Sequence, residues 1–349
     1  MTDQSNIGLF PAASQLLSDQ MWAYLMGGSG TEATLRRNRL AFERLALVPW
    51  VLRDVSTTSA AVTALGLELR LPVVMAPVGT LEAFHPDGAP GVAEACGRFG
   101  ALHVVGSVGT EPREIAGVGG GPKAYQIYAA GDREWMRTTI ESITDAGFHS
   151  IVFTVDVASR ARRERQMRAG AAFEGKRPPD RRRLATASWA DVEALRAMTD
   201  LPILIKGIQR AEDAETAVDA GVDGVWVSNH GGRQLDHGRA SIESLADVAE
   251  AVAGRTTIVV DGGIQTGSDV LKALALGADL VAVGKLQCLA LTAGGAAGVA
   301  AMLEVLEDEI VTQMGLLGVN DVSELSPRLL RDTIPSELPE PADAWSYLR

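Results

Sequence analysis

The nonapeptide Ser228–Asp236 places three chemically useful side chains close together in the chain. His230 can take up or release a proton near neutral pH, Arg233 is permanently cationic, and Asp236 is anionic. The apolar run before it, residues 224–227, is typical of a short buried strand, and a polar loop after such a strand is where an α/β barrel places its chemistry. The motif therefore indicates acid–base chemistry on an anionic substrate, although a polar loop without function could also contain a single His-Gly-Gly.

Polar, charged or glycine residues also follow the other apolar runs of the chain. In chain order these run ends carry Ala76-Pro77-Val78-Gly79, Gly106-Ser107-Val108, Gln126 with Tyr128, Thr154-Val155-Asp156 leading to Arg163, Lys206-Gly207, Asp261-Gly262-Gly263 and Gly284-Lys285. Each alone has an ordinary explanation, such as a rim aromatic residue, a surface charge or a helix cap. Their joint recurrence predicts a shared site, because a purely structural barrel has no reason to direct them at one face.

The elements that must position these groups alternate regularly. Eight apolar runs of strand length begin near Leu71, Ala101, Lys123, His149, Pro202, Gly224, Thr256 and Leu280. Amphipathic stretches of helical pattern lie between them, for example at residues 133–147, 210–221 and 268–278. This alternation predicts an α/β fold, a closed (β/α)8 TIM barrel rather than an open doubly wound sheet. No GxGxxG motif opens a helix after the first strand, which argues against a Rossmann dinucleotide site.

Two segments stand outside this alternation within one predicted domain, residues 1–349. Residues 1–70 predict an N-terminal helical cap, with one helix over Gln15–Met26 and a second that starts at Thr31 or Glu32. Residues 158–187 form a long, lid-like loop after the fourth strand, and ten of its side chains are basic against three acidic ones. This loop is either a solvated surface segment or a cationic mouth that attracts a carboxylate.

Composition limits the partners that we expect. A net charge of −12 argues against a nucleic-acid partner, and the two cysteines have no CxxC spacing, which makes a disulfide framework or a metal site unlikely. Met1 to Pro11 lacks the pattern of a secretory signal, and we find no apolar run long enough to cross a membrane. These features predict a cytoplasmic protein without a bound metal.

The glycine-rich end of the seventh run predicts an anion site. Asp261-Gly262-Gly263 precedes a helix expected to begin near Ser268, and backbone N–H groups at the start of a helix attract anions. The loops after the seventh and eighth strands of barrels commonly hold a phosphate. A simple tight turn is the alternative.

The chain resembles the FMN-dependent α-hydroxy-acid oxidases and dehydrogenases, the family of glycolate oxidase, mandelate dehydrogenase and hydroxymandelate oxidase. The resemblance is colinear over residues 15–320. Its matching blocks are Tyr24 with the glycines after it, Ala76-Pro77, Gln126-Ile127-Tyr128, Thr154-Val155-Asp156, Arg162-Arg163-Glu164, Ile205-Lys206-Gly207, Ser228–Asp236, Asp261-Gly262-Gly263 and residues 272–278.

The resemblance implies that FMN lies across the barrel mouth of a homotetrameric enzyme. The implied cofactor-binding residues are Pro77, Val78, Gly79, Ser107, Gln126, Thr154, Lys206, Ser228, Asp261, Gly263, Gln265, Gly284 and Lys285. Lys206 would stabilise the reduced, anionic flavin. The implied substrate-binding and catalytic residues are Tyr24, Arg163 and Arg233 for the carboxylate, Tyr128 for the hydroxyl, His230 as base and Asp156 as its partner.

The implied roles are chemically reasonable for the oxidation of an (S)-2-hydroxy acid. A planar guanidinium is a good donor to a carboxylate, a His with an Asp partner moves a proton near pH 7, and a cofactor must accept two electrons, which then pass to O2 or another acceptor. Two alternatives stay open at this point. The enzyme could act on a larger substrate derived from an amino acid or a peptide, or the barrel could bind phosphate without a flavin.

Several positions depart from the family pattern. Gln265 and Lys285 stand where arginines usually hold the FMN phosphate, which predicts weaker flavin binding. Gly79, Gly106 and Val108 are smaller than usual, which predicts room for an aryl or otherwise bulky substrate unless a loop residue such as Met167 or Phe173 refills the space. Gly79 also leaves oxidase and dehydrogenase activity both open.

Overall fold

In the computed structural model, which describes residues 5–170, 181–335 and 343–346, eight parallel strands form a closed barrel. Each strand pairs with the next in the chain and the eighth pairs with the first, so the predicted (β/α)8 barrel is confirmed. The strands, numbered here from first to eighth, are Val73–Met75, Leu102–Gly106, Lys123–Tyr128, Ser150–Thr154, Ile203–Ile208, Gly224–Val227, Thr257–Asp261 and Leu280–Val283.

Helices pack around this barrel and follow its strands. Their bounds are Gly88–Phe99, Pro112–Ile115, Arg133–Asp145, Trp189–Arg196, Ala211–Asp219, Ser241–Val252, Gly267–Ala275 and Lys285–Leu317. Successive side chains of a strand point to opposite faces of the sheet, so the strand residues contribute alternately to two buried apolar clusters. One set packs against the helices, and the other fills the barrel interior with residues that include Val104, Leu204, Trp226, Val259 and Leu280.

The N-terminal segment contains more than the predicted helices. The single helix predicted over Gln15–Met26 is wrong: the helices Leu9–Leu16 and Asp19–Met26 are separated at Ser18, whose hydroxyl caps the second helix by accepting from the Met21 N–H. A third helix, Ala33–Glu43, begins one or two residues after its predicted start.

Two short antiparallel strand pairs complete the described chain. A hairpin of Val62–Ala64 and Leu67–Leu69 packs its apolar side chains against the barrel interior, and Leu45–Leu47 pairs with Leu330–Asp332. Short helices at Glu164–Arg168 and Arg181–Ala185 belong to the long loop. Single helical turns lie at Asn6–Gly8, Leu81–Ala83, His230–Gly232, Val322–Glu324 and Pro327–Leu329.

The last long helix, Lys285–Leu317, corrects a prediction from the sequence. It is long and apolar enough to cross a membrane, although no such run was expected from the sequence. More than half of its most apolar window is buried, it kinks at Gly294 and Gly295, and it packs against Gly88–Phe99 and Leu9–Leu16. Its apolar composition is therefore accounted for by burial within the protein.

Candidate active site

A cavity of about 750 Å³ lies where the barrel strands end, a size typical of small-molecule and cofactor sites. Most of the residues predicted from the sequence line it. They are Tyr24, Pro77, Val78, Gly79, Tyr128, Arg163, Lys206, His230, Arg233, Asp261, Gly263, Gln265, Gly284 and Lys285. The predicted residues that do not line it are Ser107, Gln126, Thr154, Asp156 and Ser228.

His230 and Asp156 form a hydrogen-bonded pair at the cavity wall. Nδ1 of His230 lies 2.9 Å from Oδ1 of Asp156. Burial alone would raise the pKa of Asp156, but the neighbouring His230 and Lys206 outweigh it and leave this pKa below its ordinary value. Because Asp156 is then ionised, Nδ1 of His230 is the donor in this pair, and Nε2 is left as the nitrogen that can accept a proton.

The backbone holds His230 in an uncommon conformation. His230 has φ +58°, and the two glycines after it also have positive φ, so three consecutive residues are left-handed. The His230 N–H donates to the Ser228 hydroxyl, and the Asn229 side chain accepts from the Gly232 N–H. A positive φ costs energy in a residue with a side chain and is found preferentially at functional sites. These backbone contacts and the hydrogen bond to Asp156 together fix the position of the imidazole.

Two guanidinium groups face the cavity beside His230. Arg233 Nη1 donates to the carbonyls of Tyr24 and Gly27, while Nη2 has no hydrogen-bond partner among the described residues. Arg163 Nε donates to the Arg233 carbonyl at 3.3 Å. Burial and the nearby Arg233 lower the pKa of Arg163 to about 10, so Arg163 stays cationic at neutral pH. Two cations without an ion-pair partner in the described part of the chain favour a bound carboxylate.

Tyr128 supplies a neutral hydroxyl at the same wall. Burial raises the pKa of its phenol, and the nearby Asp156 raises it further. The phenol therefore keeps its proton at neutral pH and can donate a hydrogen bond to a substrate oxygen.

Lys206 and Asp261 form a buried ion pair at the floor of the cavity. Lys206 Nζ lies 3.0 Å from Asp261 Oδ2 and donates to the Ser228 hydroxyl at 2.8 Å, and that hydroxyl donates to Asp261 Oδ1 at 2.8 Å. The lysine charge expected near the flavin is thus partly offset by a carboxylate. Sequence reasoning named the three residues separately and missed that they form one network.

Two buried polar atoms lie near the ends of the third and fourth strands. Gln126 Nε2 and Thr154 Oγ1 are buried and have no hydrogen-bond partner within the described chain. Thr154 is in register with Tyr128 on one side and Lys206 on the other. Buried polar groups are rarely left unpaired, so these atoms fit the polar edge of a flavin ring.

The glycine turn after the seventh strand packs closely against the helix Ala33–Glu43. Gly262 and Gly263 have φ +103° and +92°, and a Cβ on Gly263 would lie 2.4 Å from the Asn38 carbonyl oxygen. The helix after the turn begins at Gly267, capped by Thr266, within one residue of the predicted start near Ser268. Glycine is therefore required where the backbone passes closest to its neighbours.

Lys285 also lines the cavity, and its ammonium donates to the Gly231 carbonyl at 3.3 Å. Burial and the nearby Arg233 lower the pKa of Lys285 to about 7. Gln265 lines the cavity too, and its side-chain oxygen accepts from the Ala344 N–H at 2.7 Å. Lys285 can thus carry the charge that would meet a phosphate, whereas Gln265 is neutral.

Sequence reasoning missed Arg39 at the same wall. This buried arginine donates to the Gly263 carbonyl and binds both carboxylate oxygens of Asp269, and it also pairs with Glu43. Its charge is therefore used to hold the glycine turn in place. The only sequence signal was its position in a charged helix, which does not indicate a partner 230 residues away.

One wall of the cavity comes from the long loop. Its residues 158–163 and Met167 line the cavity, and Met167 is half exposed. Arg165 Nε donates to Glu32 Oε1 at 2.9 Å, and the Gly30 N–H donates to the Arg162 carbonyl, which ties the loop to the N-terminal segment. Phe173 and the other residues at 171–180 lie outside the described residues.

The small residues at the ends of the first and second strands act differently from the prediction. A Cβ on Gly79 would lie 2.8 Å from the Cβ of Val108, and a Cβ on Gly106 would lie 3.0 Å from the Val78 carbonyl carbon. The expectation that Gly79 and Gly106 add free volume is therefore wrong, because neighbouring atoms occupy that space. These glycines instead allow two loops to pack closely, and Val108 lines the cavity.

We expect Gly79→Ala to lower the stability of the FMN-loaded protein by about 1–3 kcal/mol, the usual cost of overpacking. Replacing Val108 by Ala in the same protein should recover little of this loss, because the closest contact, 2.8 Å, is with the Val108 Cβ, which alanine keeps, and the next, 3.1 Å, is with the Val108 carbonyl oxygen. Urea unfolding would measure both. Gly117→Ala is the matched control, because a Cβ there meets nothing within 4 Å. A Gly79→Ala protein as stable as the control would contradict the clash.

The chain is similar to known proteins over most of its length. The chain matches the family model of FMN-dependent dehydrogenases over residues 13–332. It is 42% identical to the 4-hydroxymandelate oxidase of Amycolatopsis orientalis, over 92% of this chain and 96% of the relative. It is 38% identical to the peroxisomal (S)-2-hydroxy-acid oxidase GLO4 of Oryza sativa subsp. japonica, over 90% and 92%. A solved structure of mandelate oxidase with benzoyl-formic acid aligns with a TM-score of 0.87 at 41% identity, over 96% of this chain and all of that one.

Proposed function

Because the chain belongs to the FMN-dependent dehydrogenase family and oxidises a hydroxy acid with FMN, we propose that its substrate is an aryl (S)-2-hydroxy acid of the mandelate type. The product would be the 2-oxo acid, and O2 would reoxidise the cofactor. One observation carries the proposal: His230, hydrogen-bonded to Asp156, lines the same cavity as Arg163 and Arg233. A proton acceptor beside a carboxylate-binding pair is what oxidation of a 2-hydroxy acid requires.

Each residue then has a defined task. Arg233, through its unpaired Nη2, and Arg163 bind the substrate carboxylate, and the Tyr128 hydroxyl donates to the substrate hydroxyl oxygen. Nε2 of His230 accepts a proton from the substrate, and the Asp156 carboxylate stabilises the imidazolium that results. When bound, FMN supplies the acceptor for two electrons, which no side chain can provide.

The residues present fit FMN at both of its ends. Gln126 Nε2, Thr154 Oγ1 and Lys206 would hold the polar edge of the isoalloxazine ring. The glycine turn at Gly262–Gly263 and Lys285 would hold the phosphate.

The preference for an aryl substrate rests on the apolar wall and on the relatives. Phe84, Val108, Met167 and Leu184 line the cavity together with the polar groups. The relatives at 41–42% identity are named for oxidation of 4-hydroxymandelate and mandelate. Burial of a phenyl ring contributes roughly 1.5–3 kcal/mol, which is about ten- to a hundred-fold in binding.

We also propose that the protein is a cytoplasmic homo-oligomer, a tetramer by family resemblance. An exposed apolar patch, residues 50–52, supports the oligomer, and its Leu52 is fully exposed at φ +59°. Contiguous exposed apolar residues in soluble proteins commonly mark an interface. The buried free thiols of Cys96 and Cys288 are compatible with a reducing compartment.

A substrate panel tests the proposed function. We expect kcat/KM for (S)-mandelate to exceed that for glycolate by about tenfold or more, because only the aryl acid fills the apolar wall. Hydrogen peroxide should form in air in step with substrate use. A preference for glycolate would refute the aryl assignment, and reduced flavin that persists in air would refute O2 as acceptor. Protein that holds FMN but is reduced by no 2-hydroxy acid would refute the proposed reaction.

A further inference from the structure

We propose that Trp226, in the middle of the sixth strand, is a positioning residue that sets the electrostatic field acting on the flavin. Its indole Nε1–H donates to Asp261 Oδ2 at 3.1 Å, and that same oxygen lies 3.0 Å from the Lys206 ammonium. The inference rests on the proposed function in one respect, that the flavin ring lies against Lys206.

The position of Trp226 is unusual for a residue that only fills space. Trp226 is fully buried in the barrel interior, where its neighbours in the same cluster, such as Leu204, Val259 and Leu280, are aliphatic. An aliphatic residue could fill this space without a polar atom, whereas a buried indole N–H must find an acceptor. The acceptor that it meets is the carboxylate paired with the lysine of the cofactor site.

Each oxygen of Asp261 consequently accepts from defined donors. Oδ1 accepts from the Ser228 hydroxyl at 2.8 Å, and Oδ2 accepts from Trp226 and Lys206. The Lys206 ammonium also lies 5.5 Å from the centre of the Trp226 ring. The tryptophan thus contacts both members of the ion pair from the barrel side, opposite the cavity.

The electrostatic consequence follows from the sign of each charge. The Asp261 carboxylate opposes the positive field of Lys206 in the cavity, and the partial positive charge of an N–H donor offsets part of that carboxylate. With the indole in place, the cavity experiences more of the lysine charge. A reduced, anionic flavin is therefore stabilised more strongly than the Lys206–Asp261 pair alone would allow.

The test compares FMN-loaded Trp226→Phe with the parent protein by sulfite titration and by the flavin midpoint potential. Sulfite adds to oxidised flavin as an anion, so its affinity reports positive charge at the ring. We expect the sulfite dissociation constant to rise about three- to tenfold, and the potential to fall with it. A tenfold change in the equilibrium constant for flavin reduction corresponds to about 30 mV for a two-electron couple.

Three further variants separate this effect from packing. Val259→Ala removes volume from the residue paired in register with Trp226 without removing a hydrogen bond, and should leave both readouts unchanged. Trp226→Leu removes the same donor with different packing and should act like Trp226→Phe. Asp261→Asn keeps the shape but removes the opposing charge, so sulfite should bind more tightly.

Two outcomes would overturn the inference: unchanged sulfite affinity and potential in both tryptophan variants, or Asp261→Asn shifting the readouts in the same direction as Trp226→Phe. The titration needs bound flavin and no substrate. Failure of the proposed function would look different, since the parent protein would bind sulfite normally but no hydroxy acid would reduce it.

Discussion

We expect His230→Ala to bind FMN but to slow flavin reduction by the substrate by about 10²–10⁴-fold, the usual loss when a general base is removed. Nε2 of His230 is the proton acceptor that the Asp156 contact leaves available in the cavity. The side chain is not among the residues that would hold the flavin, so the cofactor should remain. Anaerobic stopped-flow mixing with mandelate, followed at the flavin absorbance, measures the rate directly.

The chain offers a matched control in His237→Ala. His237 has φ +57°, almost the same as the +58° of His230, so alanine carries the same backbone strain at both positions. The His237 side chain is mostly exposed and does not line the cavity. Its variant should reduce the flavin at nearly the parental rate. Rapid reduction in His230→Ala would assign the base to another residue.

The second large effect that we expect is a loss of FMN affinity as the pH rises above 7, by up to tenfold per unit. In the FMN-free protein, burial and Arg233 lower the pKa of Lys285 to about 7, so this lysine loses its proton above that pH. The FMN phosphate, a dianion above its second pKa of about 6, favours the charged lysine. Binding above pH 7 must therefore take up a proton, and the dissociation constant should rise up to about 100-fold between pH 7 and 9.

Quenching of FMN fluorescence on binding measures this dependence, and Lys285→Arg is the matched variant. Arginine keeps its charge throughout this range, so the dissociation constant should become nearly independent of pH and smaller at pH 9. The neighbouring Cys288 does not titrate in the window, because burial raises the pKa of its thiol to about 12. Riboflavin, which lacks the phosphate, should show no such slope. If the FMN dissociation constant of Lys285→Arg rose with pH as steeply as that of the parent protein, Lys285 would be excluded as the phosphate ligand.

The barrel could be predicted because its signals are local. Each strand is a short apolar run, and each run ends in polar or glycine residues such as Asp156 or Gly262. Parallel strands bring those ends to one face, so the chemistry of the cavity followed from the order of the runs. The motif Ser228–Asp236 indicated the base, His230. The end of the fourth strand supplied its partner, Asp156.

The features that the sequence did not reveal depend on contacts between distant residues. Arg39 and Asp269 are 230 residues apart, and Trp226 is 35 residues from the carboxylate that it contacts. Val108 fills the space beside Gly79, and no sequence pattern around Gly79 indicates this contact. The helix Lys285–Leu317 reads as a membrane span by composition, and its packing against other helices explains that composition.

The participation of the N-terminal helices in the cavity has a consequence for biosynthesis. The Arg233 guanidinium binds the Tyr24 carbonyl across 209 residues, and Arg39 holds the Gly263 carbonyl across 224 residues. At a translation rate of about 5–20 residues per second, roughly 10–40 s separate the synthesis of Tyr24 from that of Arg233. During that interval the barrel against which the apolar residues of the helix Asp19–Met26 pack has not yet been completely synthesised. The flavin site can therefore form only after most of the barrel has left the ribosome.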